Sequence, residues 1–325
     1  MLRMVSCMMM ATLTEQLVDL IVAKPINDHD RERAALFVLD GVANALAGRN
    51  SPPGRILTAW AKRTGAGSDK GAFLMGALMH ILEVDDLHRA SVVHPGCVVV
   101  PAAWTVARRE GLSGLDFVTA TLRGFEATCR VGMAVGPAHY RVWHNTGTCG
   151  PFGSAMAVAS LLNLGSEAAI SALGNAGTQS SGLWQFLETG AMSKHLHAGH
   201  AAQAGLLAAD LATHGFTGPP AILEGDKGLF AGACPDADPD AVVRDPDAPW
   251  QLHASSIKPW PSCRHTHPAI DAAQELRAGL EPRDVERATV RVYQAAADVC
   301  DNPTPQEHIR GEVFAATLCC SRADA

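Results

Sequence analysis

The chain has 325 residues, enough for two average domains or one large one, and enough to bury a sizeable core. Its 26 basic and 33 acidic side chains leave a net charge of −7 with no basic stretch, which argues against nucleic acid or an anionic membrane surface as the main partner. An apolar fraction of 47% with 18% charged residues excludes a disordered chain. Histidine (14) outnumbers lysine (6) more than twofold.

The start, MLRMVSCMMMATLTEQL, carries one arginine and a short Met-rich run without a small-residue cleavage pattern. It reads as an over-long start or a frayed tail and not as a signal peptide. Thr12 with Glu15 makes a capping-box pattern before a helix over 16–24. Asn27 or Asp28 caps the next helix, which stops at Gly48. Further helices are expected over 54–63, 71–83, 98–109, 115–135, 152–164, 167–173 and 198–213. Their interiors are rich in Ala and Gly, which lets helices approach closely in a layered bundle. Residues 142–166 carry no formal charge, yet they include His144, Asn145, Thr146, Thr148, Pro151 and four glycines. A buried helix fits that run better than a membrane span.

The stretch 214–261 is dense in Pro, Gly and Asp and reads as loops. After a helix over 268–278, RATVRVY (287–293) alternates as a half-buried strand does. A lone strand cannot form a sheet, so this is expected to begin a second unit that stops early. The fold expectation is therefore mainly α: an all-helical domain over 11–258, then an incomplete small α+β lid over 259–325. Nine cysteines without a CxxC pair, in a chain too long to need covalent staples, read as reduced thiols of a cytoplasmic protein.

Four segments combine chemistry-bearing residues. HILEVDDLHRASVVHPG holds His80, Glu83, Asp85, Asp86, His88 and His94, a set in which a carboxylate and an imidazole can share or orient a proton. The ordinary alternative is a helix end with a solvated loop. WHNTGTCGPFGSAMAVASLL leads from His144 through a Gly-rich turn that includes Gly150 to Pro151, placed as a first helical residue. Free N–H groups there make a seat for an anion, or simply a tight loop between packed helices. GAMSKHLHAGHAAQAG carries Lys194, His195, His197 and His200 without an acid among them, so a zinc-protease site is not indicated. A lysine at the start of an apolar helix opposes the dipole and points to a compensating anion. KPWPSCRHTHPAIDAA places Lys258 before two prolines, with Cys263, Arg264 and His265 following. It is a rigid cationic turn suited to carboxylates, or a linker with surface charge.

In this order the four segments resemble the MmgE/PrpD family, whose activities include 2-methylcitrate dehydratase, cis-aconitate decarboxylase and iminodisuccinate epimerase. The resemblance runs from about Thr14 to Pro268 and weakly on to about Val292. It implies a large helical domain with a smaller α+β lid, usually a dimer, and an active site between the two. By resemblance His94, His144, Lys194 and Lys258 line the pocket, and Asp85 and Asp86 match the family's acidic pair. The family has Asp and Thr where this chain has Glu83 and Leu87. The decarboxylase branch has histidine where this chain has Cys263, with His265 two residues on. Family members continue well past 325 residues, so the lid is expected to be truncated here.

The expected chemistry is cofactor-free and metal-free proton abstraction next to a carboxylate of a small di- or tricarboxylic acid, ending in dehydration, decarboxylation or epimerisation. Asp85, His94, His144, Lys194 and Lys258 are the catalytic candidates. Glu83, Asp86, Gly150, His197, Cys263 and His265 are the substrate-binding ones. Two rivals remain: a metal-dependent helical phosphohydrolase using His29–Asp30 with His80, Asp85 and Asp86, and a non-catalytic remnant that still dimerises or binds carboxylates.

Overall fold

The computed structural model describes residues 11–300 apart from 66, 282 and 284. The Met-rich start and the expected continuation of the lid over 301–325 lie outside the described residues. The chain is mainly α-helical. It runs α1 (Leu13–Ala23), α2 (Asp28–Gly48), α3 (Pro52–Thr64), α4 (Ser68–His80), β1 (Leu87–His88), α5 (Gly96–Glu110), α6 (Gly114–Ala134) and α7 (Gly136–Tyr140). Then follow α8 (Asn145–Leu161), α9 (Ser166–Gly177), α10 (Phe186–Thr189), α11 (Ser193–Thr213), α12 (Leu229–Ala233), β2 (Ser255–Ser256), α13 (His267–Leu276) and α14 (Gln294–Cys300).

Local chemistry starts several of these helices where the sequence places them. Thr12 accepts from Glu15 N while Glu15 reaches back to Thr12 N, and Asn27 and Asp30 repeat the box at α2. The middle of the molecule is less local. Every residue of α8 but Ser160 is buried, and the helix packs against α5, α6, α9 and α11. A helix without charge and buried on every face is a central helix here. Small residues make the contact possible: a Cβ on Gly153 would sit 1.6 Å from Thr128 Oγ1 and 2.6 Å from the Gly124 carbonyl. Among the described residues no helix is long and apolar enough to cross a membrane.

Three expectations are corrected. α4 ends at His80 and not at 83, because the chain turns there and Glu83 adopts φ +58°. α8 begins at Asn145, so Pro151 lies inside the helix and the Gly-rich stretch is its first turns, not a turn before it. Burial of Thr146 to Gly150 against neighbouring helices outweighs the poor helix propensity of glycine. The segment 287–293 is exposed and forms no strand with any described residue. The sheet instead consists of β1 and β2, antiparallel, with Leu87 opposite Ser256 and His88 opposite Ser255.

Candidate active site

The loop from α4 to α5 is built around two buried carboxylates. Asp86 accepts from Gly96 N at 3.0 Å, closing the hairpin that carries His94 to the start of α5. A Cβ on Gly96 would fall 2.1 Å from Asp86 Oδ1, so only glycine fits after His94–Pro95. Burial, with Asp85 and Asp40 nearby, pushes the Asp86 carboxyl well above its usual range. Asp85 has the opposite fate. Burial opposes its charge, but His80 and His94 outweigh it and hold the group well below the ordinary carboxylate range. Asp85 Oδ2 lies 2.7 Å from His80 Nδ1 and 3.3 Å from His94 Nδ1.

His94 has a defined tautomer. Its Nδ1 is 2.8 Å from the Asp86 carbonyl, which can only accept, so Nδ1 bears the proton and Nε2 of the neutral ring carries a lone pair. Burial lowers the His94 pKa to about 4, against a rise from Asp85, which leaves the ring neutral at pH 7. His144 is the N-cap residue of α8 and stacks on His80 with ring centroids 5.4 Å apart. His80 also meets His94 edge-on at 4.7 Å. Sequence reasoning named His80 in the cluster and as a ligand of the metal-dependent rival, but gave it no place in the carboxylate site. It is the ring that joins Asp85, His94 and His144, a contact across the fold that spacing does not show.

Lys194, from the first turn of α11, forms an ion pair with Glu83 Oε1. Lys258, following β2, donates to the Glu83 carbonyl at 2.8 Å and lies 3.9 Å from Glu83 Oε2. Burial raises the Glu83 carboxyl, but the two lysines outweigh it and keep the group ionised. One carboxylate therefore serves two ammonium groups.

These residues face a cavity of about 630 Å³, a size typical of small-molecule sites. Glu83, His94, His144, Lys194, Lys258, Cys263 and His265 line it. Arg89 and Arg264 stand on its wall too, so cations outnumber anions there. A hydrogen bond from Cys300, then His265 and Lys194, hold the Cys263 thiol down to about 5 in spite of burial. Asp85 and Asp86 sit behind the wall as supports for His94. Two further candidates also lie outside the cavity lining. Gly150 packs within the bundle, where a Cβ would meet Ala201 and Val98 at 3.0 Å. His197 borders a separate cavity, although its Nδ1 lies 3.3 Å from that of His144.

The ligand set of the phosphohydrolase rival is divided. Asp30 closes the cap of α2 and lies 2.7 Å from His253 Nε2, while His29 stacks on His253. Neither lines the cavity. His80, Asp85 and Cys97 do present donor atoms within 4.8 Å of one another. The Cys97 thiol is pushed well up by burial and donates to the His94 carbonyl at 3.2 Å.

The MmgE/PrpD N-terminal domain matches residues 15–241 of this sequence, and the MmgE/PrpD C-terminal domain matches 260–313. The chain belongs to the MmgE/PrpD family. A cis-aconitate decarboxylase-like protein of Aspergillus oryzae is 29% identical over 281 residues, covering 78% of this chain and 58% of that protein. The cis-aconitate decarboxylase of Aspergillus terreus is 29% identical over 289 residues, 80% of this chain and 58% of its own length. The Homo sapiens cis-aconitate decarboxylase is 28% identical over 221 residues, 64% of this chain and 44% of its own length. The chain thus spans 58% of the length of the two Aspergillus relatives and 44% of that of the human one. In this MmgE/PrpD chain the cavity draws His94, His144 and Lys194 from the first matched region and Cys263 and His265 from the second, with Lys258 between the two.

Proposed function

We propose that this chain carries the site of a lyase or isomerase that abstracts a proton next to a carboxylate of a small di- or tricarboxylic acid, in the manner of a 2-methylcitrate dehydratase. One observation carries the reading: a neutral His94, its Nδ1 proton anchored to the Asp86 carbonyl, shares a cavity with Lys194 and Lys258. His94 Nε2 takes the proton, and the electron pair moves into the adjacent carboxylate as an enediolate. The two ammonium groups stabilise that charge as it develops. Asp85 orients His94 and stabilises the imidazolium. Glu83 keeps both lysines in place until a substrate carboxylate enters between them. His144 is the second acid–base group, positioned to protonate a leaving group.

The names of the relatives favour decarboxylation of cis-aconitate as a second outcome of the same carbanion chemistry. A homodimer in the cytoplasm belongs to the proposal as well. The exposed Leu36, Leu39 and Leu46 on α2 and the unbridged thiols of Cys97, Cys129, Cys149 and Cys234 support it. The test replaces His94, His144, Lys194 and Lys258 one at a time and follows turnover of 2-methylcitrate, citrate and cis-aconitate. Loss of turnover in each variant of a folded protein supports the assignment. Full turnover in all four overturns it.

A further inference from the structure

A second cavity, of about 530 Å³, lies beside α11 and is lined by Trp60, Lys70, Phe73, Ser181, His197 and His200. It shares no lining residue with the cavity of the site. What joins the two is a pair of rings. His144 lines the first cavity and His197 the second, and their Nδ1 atoms lie 3.3 Å apart. Two nitrogens at that distance are bonded only when one carries a proton and the other a lone pair, so the rings share one proton between them. Each ring keeps Nε2 as its second position for a proton.

We propose that His197 is a proton relay that connects His144 in the active site to solvent in the second cavity. The proposal rests on the proton-transfer chemistry proposed above. Its physical reason is the environment of His144. Burial, then His80, Lys194 and His197, hold that ring well below the usual histidine range, so it does not store a positive charge. A neutral imidazole still moves protons if one enters at one nitrogen as another leaves from the other.

The steps balance. His144 Nε2–H gives its proton to the leaving oxygen of the substrate, whose bond to carbon breaks with the electron pair going to oxygen. His197 Nδ1–H passes its proton to His144 Nδ1, and water in the second cavity delivers a proton to His197 Nε2. Both rings end as neutral tautomers. The proton taken up by His94 returns to solvent separately. Once product has left, a water in the active site reprotonates His144 Nε2 while His144 Nδ1–H returns its proton to His197 Nδ1. His197 Nε2–H releases one to the second cavity, so both rings regain their starting tautomers. The reverse direction carries a proton out. His197 does not touch substrate in this scheme and acts through His144.

The direct test is NMR of the full chain with ¹⁵N-labelled histidine. A coupling between two Nδ1 nuclei across the hydrogen bond is expected in the wild type and is expected to vanish in His144→Gln, which assigns it. Absence of the coupling in the folded wild type overturns the relay, and this readout needs no substrate. A second arm uses His197→Gln, which retains hydrogen bonding but cannot pass a proton. On whichever of cis-aconitate, citrate and 2-methylcitrate the wild type turns over, kcat falls by about 10²-fold with KM nearly unchanged, and added imidazole restores part of it. A loss of kcat that imidazole does not restore, or unchanged kcat, overturns the relay. If the wild type acts on none of the three, the functional proposal fails while the coupling still decides the relay.

Discussion

Two buried ionic groups in this molecule look alike and behave differently. On α6, Arg130 Nε donates to Glu126 Oε1 at 2.7 Å, and its remaining nitrogens donate to the carbonyls of Val242, Arg244 and Asp245. Glu126 Oε2 accepts from Gln251 N at 2.6 Å. Charge is balanced, donors and acceptors are matched, and the group pins the 242–251 segment onto the helical bundle. At the other site two lysines share Glu83, and positive charge is left facing a cavity. A closed network stabilises one structure, whereas an open one holds charge ready for a ligand.

The largest effect should come from opening the closed network. Arg130→Met leaves Glu126 buried without its partner and is expected to cost about 3–5 kcal/mol of stability, read by denaturant unfolding. Lys258→Met should lower stability by less than half as much, since Lys194 still pairs with Glu83, yet reduce kcat by about 10²–10³-fold. Equal stability losses would erase the distinction between the groups. His94→Gln should leave the fold intact and reduce kcat by about 10²–10⁴-fold.

The pH dependence sharpens the same contrast. His94 is lowered from 6.5 to about 4, so the base form persists down to about pH 4, and kcat/KM should rise through that pH and stay level to neutrality. The unfolded chain takes up this proton more readily than the folded one, so stability should decline as pH falls from about 6.5 towards 4. The smallest effect concerns Cys263. Its alkylation by iodoacetamide, mapped by mass spectrometry, should reach half its maximal rate well below pH 9, and a midpoint near 9 would remove the open site's hold on this thiol.

Features set by neighbours in sequence were readable before the fold was known. The capping box at Thr12 is such a case, as are the cap at Asn27 (one of two residues the sequence offered), the helix-rich layering and the residue types gathered in four segments. Features set by packing were not. The Gly-rich stretch after His144 is helical only because α8 is enclosed, and the alternation of 287–293 makes no strand without a partner. Spacing placed Gly150 and His197 beside the site, but Gly150 packs against Ala201 and Val98, and His197 opens on the second cavity. The central place of His80 and the bridging place of Glu83 arise from residues as much as 175 positions apart, which no local pattern records.

The most direct measurement incubates the full chain in D₂O with citrate, 2-methylcitrate and cis-aconitate in turn, and follows the carbon-bound protons next to the carboxylates by NMR. Exchange or turnover of at least one acid by the wild type, lost in His94→Gln and strongly reduced in Lys258→Met, is the predicted result. Equal rates in the wild type and His94→Gln, or no change in any of the three acids, would contradict proton abstraction by His94 in a cavity held cationic by Lys194 and Lys258.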